Sequence, residues 1–181
     1  MNFVDSFTVS YNKMAPYSLQ DMLSMLVNSR GKIKAYLFLA FTSGLRTGEL
    51  LALKWSDIDF DHNVIHLARS ITKGIITEGS NATKNHQRSI IVPQFTIDVL
   101  ESTYKESEWI FPSRTGEPYK ESRNFIKAHF KPLLKELDIE YKTLTVTRHT
   151  YISYLRNNGI DKNFIQELVG HSANSVVTDK H

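Results

Sequence analysis

The chain has 181 residues, enough for one domain with a real core, while two small domains would be crowded. Hydrophobic residues at 41% and charged residues at 23% exclude a disordered chain, and the lack of cysteine excludes a disulfide framework, thiolate metal sites and cysteine nucleophiles. Lys and Arg number 22 against 19 Asp and Glu, a surplus that suits a polyanionic partner without requiring one.

Residues 1–16 have weak periodicity and read as an extended lead-in. Ser18-Leu-Gln-Asp21 has the spacing of a capping box, with Asp in place of Glu, and starts an amphipathic helix through Val27. A more buried helix is expected over 33–42, broken at Gly44, and a third from Thr47 that carries Leu50, Leu51 and Leu53 toward a core. The texture then changes. Turn chemistry at 59–63 is followed by strand-like stretches at 64–68, 70–76 and 89–92, with a polar turn over 77–87. Helix signals return over 95–104, 122–137, 147–157 and 162–169, and Gly159 is a good terminator. The expected fold is α+β, mainly helical, with a small three-stranded antiparallel sheet inserted early and a single domain over 17–181. The longest apolar run, 35–41, is too short to cross a bilayer and no signal peptide opens the chain, so a cytoplasmic protein away from membranes is expected.

Two arginine-centred segments are apolar on both sides. In Thr42-Ser-Gly-Leu-Arg46-Thr-Gly-Glu49, an arginine sits at a Gly-bounded break between apolar helices and needs an anionic partner. Glu49 can supply it as a structural pair, or can hold the Arg46 fork ready for a phosphate. In Thr145-Val-Thr-Arg148-His149, an arginine near a helix start faces the unfavourable end of the dipole, which a bound phosphate would compensate. His149 is read as a hydrogen-bonded core histidine rather than a catalyst. Lys84, on the polar turn, and His171, just past a helix end, are each weak alone: a solvated charge and a helix cap explain them equally well.

The order and spacing of TSGLRTGELLALKW, TKNHQRSIIVP, TRHTYIS and LVGHSANSVVTDKH resemble the catalytic domain of the tyrosine recombinases, the phage-type integrases, over nearly the whole chain. The resemblance implies a metal-free, cofactor-free transesterification of double-stranded DNA through a 3′-phosphotyrosyl intermediate. Arg46 and Arg148 would clamp the phosphate, Lys84 would act as general acid, His171 would donate a hydrogen bond, and Glu49 would orient Arg46. It also implies a bacterial or phage source and, in the whole protein, a tetramer on DNA.

Two departures stand out. Thr145 occupies the slot where the family has a histidine, and threonine cannot carry a proton near neutral pH. No tyrosine follows Tyr154, and the family's nucleophile position falls at or just past His181. The chain is therefore read as a fragment cut before its tyrosine, able to bind DNA but not to cleave it. A replacement of the tyrosine by His181 and a non-catalytic accessory DNA-binding relative remain as alternatives. For backbone contacts the candidates are Arg88 on the hairpin and the stripe Arg123, Lys127, Lys131, Lys135, spaced by four residues on one helix face.

Overall fold

The computed structural model describes residues 15–78, 88–103 and 105–170. Helix α1 (Leu19–Asn28) starts where the capping spacing predicts, with Ser18 Oγ accepting the Asp21 N–H at 3.0 Å. Helix α2 (Gly31–Ser43) is apolar nearly all round, and Ala35, Tyr36, Leu37, Leu39 and Ala40 are fully buried. A helix without a polar face belongs at the centre. Around it pack α1, α3 (Thr47–Leu51), α4 (Gln94–Glu101) and α7 (Thr145–Asn157). On one side Tyr36 meets Phe111 and Phe125, and Tyr119 meets Phe125, with ring centroids 4.9–5.6 Å apart. Each ring so buried stabilises the fold by about 1.5–3 kcal/mol.

The three-stranded antiparallel sheet is present, but its strands are not all the expected ones. Strands β1 (Ile58–Asp59), β2 (Val64–Leu67) and β5 (Arg88–Ile91) pair in the order β1-β2-β5. The stretch 70–76, expected as one strand, instead reverses into a hairpin of β3 (Arg69–Thr72) and β4 (Ile75–Glu78), with Thr72 opposite Ile75. Its two connecting residues, Lys73 and Gly74, have φ of 49° and 81°. Two positive φ values make the tight turn whose twist matches a hairpin. The hairpin lies against α3, where a Cβ on Gly48 would collide with the Ile71 carbonyl oxygen. Only glycine permits that approach.

The helix expected over 122–137 runs as α5 (Ser122–Phe125), a π turn (Ile126–Phe130) and α6 (Lys131–Glu136). Phe125 and Phe130 are five residues apart and both fully buried. In a regular α-helix five residues diverge around the axis, whereas i→i+5 bonding stacks them on one side. The last helix among the described residues, α8 (Lys162–Val169), is capped by Asp161 Oδ1, which accepts from the N–H groups of Asn163 and Phe164, and it ends at Gly170 with φ 68°. Tyr17 anchors the front of the domain: its N–H donates to Thr150 Oγ1 at 3.0 Å on α7. No helix among the described residues is long and apolar enough to cross a membrane.

Candidate functional site

Arg46 is the residue before α3, and Glu49 is the third residue of that helix. The Glu49 carboxylate turns back so that Oε2 accepts the Arg46 backbone N–H at 2.8 Å, the carboxylate half of a capping box. Oε1 accepts from Arg46 Nη1 at 3.2 Å. The pair is asymmetric: the Glu49 side chain is 1% exposed and that of Arg46 41%. The carboxylate is the fixed partner, and the guanidinium looks outward.

Arg148, in the first turn of α7, is buried. The dipole of its own helix opposes a cation there. Compensation comes from the carbonyl ends of two other helices: Nη1 donates to Gly44 O at the end of α2 (2.6 Å), and Nη2 to Val169 O at the end of α8 (2.9 Å). Burial, and then the nearby Arg46 charge, pull the guanidinium down to about 10, with Glu49 opposing. It is still charged at neutral pH.

Arg88, expected among the DNA contacts, is turned inward instead. It stands opposite Leu67 in the sheet, two residues from buried Ile90, so strand alternation puts it on the core face. Nη1 donates to Glu49 Oε1 at 3.1 Å and Nη2 to Oε2 at 3.3 Å, and Nη2 also reaches Val169 O at 3.3 Å. Arg46 Nη2 in turn donates to Gly170 O at 3.2 Å. Three guanidinium groups thus gather around one carboxylate and the carbonyl end of α8, leaving two formal positive charges among the described residues. Burial pushes the Glu49 carboxyl up, but the hydrogen bonds and charge of Arg88, then the Arg46 N–H and charge, outweigh it and hold the group below its ordinary value.

Arg46, Glu49 and Arg148 are therefore brought together, and Arg88 joins them. Lys84, His171 and His181 lie outside the described residues. Thr145 opens α7 and is exposed. His149 does not occupy the core: it is exposed, between buried Arg148 and buried Thr150, on the outer face of α7.

The stripe Arg123, Lys127, Lys131 and Lys135 is exposed along α5, the π turn and α6. Arg123 pairs with Glu121, and Lys131 Nζ stands 4.8 Å from the centre of the Tyr141 ring. Arg123, Lys127 and Lys131 border a cleft of about 390 Å³. A neighbouring cleft of about 430 Å³ at the start of α3 shares Arg123 and adds Lys73 and Lys120. Lys120 carries no signal in the sequence, because it lies in an aperiodic loop. Arg69 is occupied, with Nη1 on Asp57 Oδ2 at 2.6 Å and Nε on Glu78 Oε1 at 3.2 Å.

A helical domain built in this order, with this early sheet, is the fold of a tyrosine recombinase catalytic domain. Superposition on the crystal structure of XerA recombinase gives a TM-score of 0.69 at 22% identity, covering 88% of this chain and 57% of that one. The Tn1549 transposon integrase, in complex with transposon right end DNA, gives 0.72 at 21%, covering 93% and 60%. The sequence pattern of the phage integrase family matches residues 14–180, and the chain belongs to that family. It is 31% identical over 176 aligned residues to a XerC-like tyrosine recombinase of Caldanaerobacter subterraneus subsp. tengcongensis, covering 82% of this chain and 44% of that protein. It is 30% identical over 155 residues to tyrosine recombinase XerC of Pediococcus pentosaceus, covering 77% and 46%. The chain spans about half the length of the curated relatives it matches.

Proposed function

We propose that the chain is the catalytic domain of a site-specific DNA recombinase that exchanges strands by metal-free phosphoryl transfer. The observation that carries this reading is the gathering of Arg46, Arg88 and Arg148 around Glu49 and the end of α8. A phosphodiester carries one negative charge and its pentacoordinate state two, so a site with two surplus positive charges favours the transition state over the ground state. Arg46, the exposed member, meets a non-bridging oxygen, and Arg148 supplies fixed charge from below. Lys84 is assigned the proton that the departing 5′-oxygen takes, and His171 a hydrogen bond to a phosphate oxygen. The 3′-phosphotyrosyl link needs a tyrosine nucleophile, and no tyrosine follows Tyr154 among these residues, so on its own side chains the domain is assigned DNA binding without cleavage.

Duplex DNA lies along the basic clefts between the β3–β4 hairpin and α6, with phosphates on Lys73, Lys120, Arg123, Lys127 and Lys131, and Lys135 at the far end. One solved relative is a lambda integrase tetramer bound to a Holliday junction, with a TM-score of 0.60 and 18% identity over 90% of this chain. The whole protein is assigned the same self-association on DNA, in the cytoplasm of a bacterial host.

The test uses the complete reading frame that contains this chain and a nicked duplex carrying its attachment site. A covalent protein–DNA adduct on a denaturing gel, lost in Arg148→Ala, supports the recombinase. DNA binding with no adduct supports the accessory, non-catalytic relative, a reading that Thr145 in place of a proton-carrying histidine favours.

A further inference from the structure

We propose that Arg88 is a positioning residue for the cleavage step: it locks Glu49, and through Glu49 the fork of Arg46, against the carbonyl end of α8. This rests on the recombinase reading above.

Arg88 is turned into the protein. Its side chain is 15% exposed, against 41% for Arg46, and its terminal nitrogens point at protein atoms. What it does is join two branches of the site. Its fork spans both oxygens of Glu49, the same oxygens that hold the backbone and side chain of Arg46. Its Nη2 also shares the Val169 carbonyl with Nη2 of Arg148. Arg88 therefore bonds to a partner of each clamping arginine.

The chain path is fitted to this side chain. Gly170, whose carbonyl holds Arg46, has φ 68°, and a Cβ there would lie 2.7 Å from Arg88 Cζ. The carbonyl that steadies Arg46 is placed where a residue with a side chain would displace Arg88.

The consequence is geometric. The Arg46 backbone N–H ties down Oε2, whereas Oε1 is held from that side by the guanidinium it orients. The Arg88 fork bonds both oxygens from the other side and restrains the carboxylate, and the Arg46 fork with it. A misplacement of about 1 Å in a group that meets the transition state lowers the rate on the order of 10²-fold.

The experiment measures single-turnover adduct formation by the complete reading frame at saturating protein, with DNA affinity measured separately by fluorescence anisotropy. In Arg88→Met the adduct rate is expected to fall on the order of 10²-fold while Kd changes by less than about twofold. Arg88→Lys, which keeps the charge and reaches one oxygen, recovers part of the rate. In an Arg46→Lys background, where the fork is already absent, Arg88→Met lowers the rate by less than about threefold. Equal losses in both backgrounds, or a loss that only tracks the folded fraction by circular dichroism, would assign Arg88 a structural role and overturn the proposal. If Arg88→Met does not fold, Arg88→Lys carries the same cycle with the same two outcomes. An unchanged rate in the Arg88 variant, beside a wild type that does form the adduct, overturns this inference alone. A wild type that never forms it overturns the recombinase reading as well.

Discussion

The molecule carries positive charge in two regions that differ in every physical respect. Around Glu49, three guanidinium groups are held by one buried carboxylate and by the carbonyls of Gly44, Val169 and Gly170. Along α5, the π turn and α6, the cations stand in solvent on long side chains. The first set has orientation before any ligand arrives and is weakly screened; the second supplies attraction that salt erases. A fixed cage suits one phosphate at one place. A solvated stripe suits many phosphates in no fixed place.

Breaking the buried region should have the largest effect. Arg148→Ala strands the Gly44 carbonyl, leaves Val169 O to Arg88 alone and removes the deepest positive charge of the cluster; adduct formation should fall on the order of 10²–10³-fold, with DNA affinity changed far less. Gel quantification against anisotropy on the same samples separates the two. Glu49→Gln should rank next. It leaves two guanidinium groups facing a neutral amide, at a loss of about 3 kcal/mol, which for a domain this size lowers the melting temperature by roughly 6–12 °C. The wild type also carries a pH signature. The Glu49 carboxyl sits below its ordinary 4.5, so its contribution is complete above that value and lost as pH falls through and below it. The Gln variant should lack this part of the acid loss in denaturant titrations between pH 5 and pH 3 (about the carboxylate range).

The exposed region should respond in the opposite sense. Removing Arg123, Lys127 and Lys131 together should leave stability within about 0.5 kcal/mol per site, yet reduce the slope of log K against log salt by about one for each phosphate no longer neutralised. A triple variant with an unchanged salt slope would remove the stripe from the DNA path. The smallest effect belongs to the hairpin turn. Lys73→Asn puts a residue suited to positive φ at the first turn position and should stabilise by a few tenths of a kcal/mol, read as a shift in denaturant midpoint.

Most helices are legible in the sequence because their signals are local. Ser18 with Asp21 marks the start of α1, and the apolar run of α2 announces a central helix. The hairpin at 69–78 is not legible, since β-branched residues flank Lys73-Gly74 and read as one continuous strand. Lys-Gly is also a rarer form of the Asn-Gly signal. The π turn leaves its trace in the five-residue spacing of Phe125 and Phe130, which a search for α-helical periods passes over. Within the site, Arg46, Glu49 and Arg148 can be read from their apolar surroundings. The charge of Arg88 suggests an outward side chain, though the alternation Arg88, Ser89, Ile90 puts it on the inner face beside Ile90. Long-range partners such as Val169 are backbone atoms and have no signature in side-chain chemistry.

Arg148 is seated on two main-chain carbonyls at helix ends and Arg46 on a third besides Glu49, and every amino acid brings the same carbonyl. What α8 must keep is its placement, held by buried Ile165 and Val169 and by the Asp161 cap, and the turn at Gly170. The seating of Arg148 is thus set by the route of the polypeptide at Gly44 and Val169, and that of Arg46 is set partly so, at Gly170.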